Sequence, residues 1–373
     1  MKLQILQENL SKALTNAARF TSQRAQLPVL GNIKLKTDKT KLIVAATNLE
    51  VAVVISVGAK IESEGEITIP AKTITEIVSN LTPGILDLEV DKEQLKVESA
   101  NFNSSVSGMN ASDFPALPER VDVKNSLVLP KKLLLNALAQ VIFAASVDET
   151  RPILTGVLFI FKKDKLVLVA TDGFRLSQKT IPIKIEGEVE NLVLPKFAIG
   201  EVVRLAGEEE EILLNYKKTD NQAVFGFADT VLSSRVLQGT YPDYEKIIPK
   251  SAAVKIAVDK DEMLRAVKLA SVFARDSANI IKIQVGKDSL GFSAESSTSG
   301  SQKNKIDAKV DWTGPAADGL EIAFNYHFIE ELLHAVSGEE LSIEFSSEAA
   351  PGVFGDPTDP SFLHLIMPVK IQS

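Results

Sequence analysis

The chain has 373 residues, of which 45% are hydrophobic and 24% charged, and its formal net charge is −8. No window approaches the roughly 18 unbroken apolar residues of a membrane helix, and the N-terminus leads into a strand-like run rather than an apolar signal segment. We therefore expect a cytoplasmic protein with no membrane partner. The chain has no cysteine, which excludes disulfides and thiolate chemistry.

The segment from residue 7 to about 120 is predicted to run helix, strand, strand, helix, strand, strand. Its first helix has one apolar face, formed by Leu10, Ala13, Leu14, Ala17 and Ala18. The second helix is predicted to begin after Pro70, because proline is tolerated in the first helical turn. The segment closes on the run from Asp113 to Pro118.

The segment from 130 to 249 repeats this plan. Leu27–Gly31 is matched by Arg151–Gly156, and Pro195 corresponds to Pro70 at the start of a second helix. A third copy begins at Asp259, although it lacks the proline. A period of roughly 125 residues suits a small domain with its own core. The expected fold is α+β, with three tandem modules of two helices and an antiparallel sheet at 1–120, 126–250 and 253–373.

Charge is distributed unevenly between the predicted helices and the rest of the chain. The six helical windows together carry +3, which leaves −11 elsewhere. They are 7–20, 71–81, 130–145, 195–206, 259–275 and 325–337. The helices therefore present either ordinary solvated faces or a weakly basic lining inside an acidic shell, and the net charge itself argues against wide phosphate contact.

Signatures of catalysis and of metal binding are missing from the sequence. There is no P-loop, glycine-rich dinucleotide turn, nucleophile elbow or zinc-protease motif. The histidines at 327, 334 and 364 are poorly spaced for one metal site. Asp113, Asp172 and Asp243 could be paired carboxylates of a hydrolase, although turn-forming aspartate is the simpler interpretation. We predict no cofactor and no catalytic residue.

Four motifs in order across the repeat resemble the family of bacterial DNA sliding clamps, the beta subunit of DNA polymerase III. They are Leu27–Asn32, Ala170–Leu176, Tyr241–Tyr244 and Met367–Lys370. The resemblance implies the DNA clamp fold, with two chains joined head to tail in a six-domain ring. Twelve helices at ~8–10 Å spacing would surround a hole wide enough for duplex DNA. Such a ring is a processivity factor held on DNA by topology, not an enzyme.

The resemblance also implies functional residues. DNA contacts would come from Arg24, just ahead of a strand expected at Leu27–Pro28, and from Lys72 and Lys196. The dimer interface would join Ser104 and Val106, on an edge strand of the first module, to Val272 and Phe273 of the third. A peptide groove would be formed by Leu154, Thr171, Gly173, Phe174, Arg175, Leu176, Pro242, Ile247, Leu365, Met367, Pro368 and Val369.

The groove would bind short linear motifs of the polymerase III alpha subunit, the clamp loader, other polymerases and repair proteins. A monomeric peptide-binding scaffold that does not bind DNA is the alternative to a homodimeric clamp. The hydrolase is a further alternative and predicts that Asp172→Asn abolishes turnover. The acidic pair Glu330 and Glu331 in the sixth helix departs from a uniformly basic lining.

Overall fold

The computed structural model describes residues 1–22, 27–187, 189–207, 210–313 and 319–370. Within these ranges the chain forms six α-helices and 26 β-strands. The first module contains β1 (Lys2–Leu6), α1 (Gln7–Ala18), β2 (Asn32–Asp38), β3 (Lys41–Thr47), β4 (Val51–Gly58), β5 (Lys60–Ser63), β6 (Glu66–Pro70), α2 (Ala71–Asn80), β7 (Ile85–Asp91), β8 (Gln94–Ser99) and β9 (Phe102–Ser107).

The second module contains β10 (Leu127–Pro130), α3 (Lys131–Val141), β11 (Gly156–Lys162), β12 (Lys165–Thr171), β13 (Arg175–Pro182), β14 (Leu192–Pro195), α4 (Lys196–Leu205), β15 (Glu211–Lys217), β16 (Gln222–Phe227) and β17 (Thr230–Arg235). The third contains β18 (Val254–Asp259), α5 (Lys260–Ala274), β19 (Ile280–Val285), β20 (Ser289–Ser296), β21 (Gly300–Asp307), β22 (Lys309–Trp312), β23 (Glu321–Asn325), α6 (Tyr326–Ala335), β24 (Glu340–Phe345), β25 (Gly352–Asp356) and β26 (Asp359–Ile366).

The helices begin close to where the sequence predicts. In the first two modules Pro70 and Pro195 directly precede α2 and α4. In the third, Asn325 takes the place of the proline, and its side chain accepts a hydrogen bond from the backbone N–H of His327 at 3.0 Å. This side-chain cap satisfies a helix N–H that would otherwise lack a partner, so the module keeps its second helix without proline.

The predicted strands need two corrections. The first module has nine strands rather than four, because short edge strands such as β5 are largely exposed and lack apolar alternation. The Leu27–Gly31 motif, expected to be a strand, forms a 3₁₀ helix at Pro28–Gly31, and Pro152–Thr155 does the same in the second module. Proline fixes φ near its helical value at the start of each turn, which favours this conformation over a strand.

One compact unit comprises Met1–Lys132 and Gly200–Val236. It contains a five-stranded sheet in the order β5-β1-β7-β8-β9 and an eight-stranded sheet in the order β10-β15-β16-β17-β4-β3-β2-β6. The larger sheet continues from the second module into the first through antiparallel pairing of β17 with β4.

The other unit comprises Leu133–Ile199 and Leu237–Ser373. Its nine-stranded sheet has the order β14-β11-β12-β13-β26-β25-β24-β18-β22, and its four-stranded sheet has the order β21-β20-β19-β23. Antiparallel pairing of β13 with β26 joins the second module to the third. The candidate functional site lies at this junction.

Candidate functional site

An apolar groove of about 230 Å³ lies in the unit that contains the nine-stranded sheet. Leu176 of β13 and Leu365 of β26 are directly opposite each other in the ladder, and both are buried. They pack in one apolar cluster with Tyr244, which begins the 3₁₀ helix Tyr244–Ile247. The groove is lined by Arg151, Leu154, Thr171, Gly173, Arg175, Leu176, Pro242, Asp243, Tyr244, Ile247, Leu365 and Met367.

A tight turn between β12 and β13 borders the groove. The Thr171 hydroxyl donates to the carbonyl oxygen of Arg175 at 2.6 Å, and the Gly173 N–H donates to the Thr171 hydroxyl at 3.0 Å. The Asp172 carboxylate accepts the N–H groups of Phe174 and Arg175 at 2.9 and 3.0 Å. Gly173 has φ +92°, which glycine adopts without strain. Asp172 therefore closes the turn, which is a structural role rather than that of a free catalytic carboxylate.

The first module forms the same turn at Thr47–Val51. There the Asn48 side chain accepts the N–H groups of Glu50 and Val51, at 3.0 and 2.8 Å. The position of Gly173 is taken by Leu49, which adopts φ +76° despite its side chain. The repeat thus extends to individual hydrogen bonds, although the sequence of this segment differs between the two modules.

The side chains beneath the turn differ between the two modules. The paired residues Leu176 and Leu365 correspond to Ala52 and Ser233, which face each other in the β4–β17 ladder. Replacing two leucines by alanine and serine removes the large apolar surface from this position. The second module therefore has a leucine-based groove that the first module lacks at the equivalent place.

The Arg175 guanidinium is held by groups of the protein itself. It donates to the Asp172 carboxylate at 3.1 Å and to the carbonyl oxygen of Phe143 at 2.9 Å, and it forms an ion pair with Glu331 of α6. Its central carbon also lies 5.4 Å from the ring centre of Phe143 and 4.6 Å from that of Phe328, within cation–π range. Arg175 borders the groove, but its charge is compensated within the fold.

Nine of the twelve residues predicted for the groove line it. Phe174 does not, since its side chain is 65% exposed, and its carbonyl oxygen accepts the N–H of Met367 at 2.8 Å. Pro368 and Val369 also lie outside the lining. The lining also includes three residues that were not predicted, Arg151, Asp243 and Tyr244, although all three belong to the motifs Arg151–Gly156 and Tyr241–Tyr244. Assigning each of these motifs to the groove in full, rather than in part, would have included them.

The predicted DNA contacts occupy different environments. Arg24 lies outside the described residues. Lys72 is exposed in the first turn of α2, 4.0 Å from the carboxylate of Glu76. Lys196 is half-buried, and its ammonium donates to the carbonyl oxygen of Ala145 at 3.2 Å. Burial lowers the pKa of Lys196, and the neighbouring Arg175 charge lowers it further. Lys72 is therefore the more accessible of the two described lysines.

A second charged network links two helices of the unit that contains the eight-stranded sheet. The carboxylate of Glu201, in α4, is buried and accepts hydrogen bonds from Arg19 at 2.8 and 2.6 Å. Arg204 donates to its other oxygen at the same two distances. Burial alone would raise the pKa of Glu201, but these hydrogen bonds outweigh it and lower the pKa. The two arginines remain partly exposed. Together they form a positively charged site that the charge counts of the separate helices did not reveal.

The predicted interface residues lie on an edge strand and a helix end. Ser104 and Val106 belong to β9, which is at the edge of the five-stranded sheet. Val272 is 54% exposed near the end of α5, whereas Phe273 packs partly against the core of the third module. Val272 is therefore the residue of this pair that is free to contact another chain.

The part of the chain that the structure describes has neither a metal-binding cluster nor a membrane-spanning helix. No group of three or more histidine, aspartate or glutamate side chains there could hold a metal ion. None of the helices there is long and apolar enough to cross a bilayer.

All three modules match models of one protein family. Residues 1–118 match the N-terminal domain of the DNA polymerase III beta subunit, 128–243 its central domain and 245–370 its C-terminal domain. The chain belongs to the DNA polymerase III beta subunit family. A relative named beta sliding clamp, from Staphylococcus aureus, is 27% identical over 99% of both chains.

Solved structures agree with this family assignment. The Caulobacter crescentus polymerase III beta structure is 27% identical, with a TM-score of 0.90 over 100% of both chains. The Thermotoga maritima beta subunit has a TM-score of 0.91 at 24% identity, also over 100% of both chains, and this match shows the fold. The predicted clamp fold and sliding-clamp function are confirmed by these matches, and the family is not one of enzymes.

Proposed function

We propose that two copies of this chain join head to tail in a six-module ring that encircles duplex DNA and tethers a DNA polymerase. The match of the three modules, in order, to the three domains of the beta subunit family carries this proposal. A ring is retained by topology, so the chain can be acidic overall and still stay on DNA. The proposed site of action is the cytoplasm.

Free strand edges support the head-to-tail arrangement. In the described chain β9 ends the five-stranded sheet and β21 ends the four-stranded sheet, and each is paired on one side only. An unpaired edge exposes backbone N–H and C=O groups that can pair with another chain. We propose that the β9 region of one copy, with Ser104 and Val106, meets the α5–β21 region of the next, with Val272 and Phe273. Such a heterologous interface closes into a ring when its rotation permits.

Contacts with DNA would come from helix-borne cations. Lys72 is exposed, and Arg19 and Arg204 keep part of their side chains accessible while Glu201 fixes their orientation. We propose that these groups reduce repulsion from phosphates without binding them tightly enough to prevent sliding. Arg24 and Lys196 remain further candidates from the sequence.

The groove would anchor short peptides from the polymerase III alpha subunit, the clamp loader, other polymerases and repair proteins. Its leucine base suits an apolar side chain, and a few polar groups at its border can orient the peptide. Arg151 forms no direct ion pair among the described residues and its charge interacts only at longer range with Asp148, whereas Asp243 is paired with Lys246 at 2.7 Å. We therefore propose that a peptide with an acidic residue beside its apolar anchor binds best.

Primer extension on a singly primed circular template, with the polymerase and clamp loader of the source cell, tests the proposal. Wild-type protein is expected to convert short products into long ones. Ile247→Glu should abolish this effect because it places a charge in the apolar groove. Leu49→Glu is the matched control, since Leu49 and Ile247 are 45% and 44% exposed and Leu49 lies in the first module's counterpart of the Thr171–Arg175 turn, where the leucine-based groove is missing.

Two results would contradict the proposal. Undiminished stimulation by Ile247→Glu would exclude the groove as the tethering site. Equal stimulation on linear templates with open ends, from which a ring slides off, would exclude topological retention and favour the monomeric scaffold.

A further inference from the structure

We propose that Glu331 of α6 is a positioning residue for the peptide groove and acts through Arg175. This inference rests on the proposed peptide-binding function. It assigns a role to one of the two acidic residues that set the sixth helix apart from a basic lining. Glu331 does not line the groove, so any effect on a peptide must pass through the residues that do.

Arg175 needs a counter-charge from outside its own turn. Its side chain is only 8% exposed, so its charge is largely removed from water and must be compensated by nearby groups. Of the two carboxylates that contact it in the described structure, Asp172 belongs to the same turn and moves with it. Glu331 comes from a different module and therefore connects the turn to the rest of the unit.

The position of this turn determines one side of the groove. Thr171, Gly173 and Arg175 all line the groove, and the turn also binds Met367 through the carbonyl oxygen of Phe174. Hydrogen bonds of the Thr171 and Asp172 side chains fix the internal shape of the turn, but none of them attaches it to α6. The Arg175 side chain, through its ion pair with Glu331, is the link through which α6 can hold this side of the groove in place.

Loss of the Glu331 charge would also unbalance its neighbours. Lys196 lies close enough to be repelled by Arg175 and attracted by Glu331 and Asp172. With Glu331 neutralised, two cations would share a partly buried site with Asp172 alone. We expect the guanidinium to move toward water and carry the turn with it, which would alter the groove without unfolding the module.

Glu330 provides a matched control on the same helix. It is adjacent to Glu331 but takes no part in the Arg175 network. Glu331→Gln and Glu330→Gln change the net charge of the chain equally and at adjacent positions, so their long-range electrostatic effects on a charged peptide should be closely similar. A difference between the two variants therefore reports the local contact with Arg175.

The test is fluorescence anisotropy with a labelled synthetic peptide that carries a leucine–phenylalanine pair and one aspartate. Glu331→Gln is expected to raise the Kd by roughly three- to tenfold, which lies within the range of measured effects of residues that touch no ligand, while Glu330→Gln leaves it unchanged. In an Arg175→Met background Glu331→Gln should have no further effect, because the group through which it acts is absent.

The single tryptophan, Trp312 in β22, monitors the fold of the third module in every variant. An unchanged emission spectrum with a raised Kd supports positioning, as opposed to loss of structure. Equal effects of the two glutamate variants, or an additive effect in the Arg175→Met background, would overturn the proposed role of Glu331. Either result would leave the proposed peptide-binding function intact. Full peptide binding by Ile247→Glu would instead show that the groove is not the peptide site, and both proposals would fail.

Discussion

The imidazole of His364 is completely buried in β26. Its Nδ1 lies 2.5 Å from the Ser177 hydroxyl, and its ring stacks on Phe143 with the ring centres 5.3 Å apart. Burial lowers the pKa of His364 to about 3, with a further contribution from the Arg175 charge. The ring is therefore neutral in the folded protein throughout the ordinary pH range.

This burial predicts a pH dependence of stability. The unfolded chain binds a proton at His364 below about pH 6.5, whereas the folded chain does not until near pH 3. The unfolding free energy should therefore fall as pH falls through this window, by up to about 1.4 kcal/mol per pH unit from this group. Urea unfolding between about pH 7 and pH 5 should show a shallower slope for His364→Gln than for wild type. Identical slopes for the two proteins would contradict the lowered pKa of His364 in the folded state.

At the scale of single residues, the sequence predicted the apolar residues of the groove better than the partners of the charged residues around it. Leu176 was found because its motif resembles a known family, and Leu365 because that resemblance implies a groove residue there. The ion pair of Arg175 with Glu331 was not predictable, since it joins residues far apart in the chain that only the β13–β26 pairing brings together. The buried site of Lys196 was missed for the same reason.

The contact between α1 and α4 includes the Glu201 carboxylate, which is shared by Arg19 and Arg204, and a hydrogen bond from Arg204 to the side-chain oxygen of Asn16 at 2.7 Å. Glu201→Gln would leave Arg19 and Arg204 without their counter-charge, and we expect it to lower the unfolding free energy by roughly 1–3 kcal/mol, discounted for the exposure of both arginines. Glu8→Gln, an exposed change in the first turn of α1, should stay within about 0.5 kcal/mol of wild type. The urea unfolding midpoints of the two variants and of wild type measure both changes in stability.

The Glu201 contribution also has a defined pH range. Because the folded pKa of Glu201 is lowered, the stabilisation is present above the unfolded value of 4.5 and is lost as pH falls through the folded pKa. The wild-type and Glu201→Gln proteins should therefore converge in stability under acidic conditions. A difference that persists unchanged at low pH would show that the side chain acts through packing rather than charge.

Among elements, helices were predictable and strands were not. Helical spacing and the prolines before α2 and α4 are local signals, so their starts agree within a residue. Strands such as β5 and β22 are short and partly exposed, and they are defined by their pairing partners rather than by their own composition. The 3₁₀ helices at Pro28 and Pro152 show that an apolar run beginning with proline is not a reliable strand signal.

For the whole molecule, the three-fold repeat was visible in the sequence, but the continuity of the sheets was not. β17 pairs with β4, and β26 with β13, so each large sheet draws strands from two neighbouring modules. These pairings require contacts between distant parts of the chain, which no local pattern specifies. The groove lies at one such junction, and for that reason its lining comes from two modules.

Small-angle X-ray scattering in line with size exclusion tests the ring directly, because it reports mass and shape together. We predict a particle of twice the 40.4 kDa chain mass, with a distance distribution that shows a central hole. The Val272→Glu variant should shift this particle toward the single-chain mass, since a charge would be buried without a partner at the proposed interface. A compact wild-type monomer at micromolar concentration would contradict the ring and the tethering mechanism that depends on it.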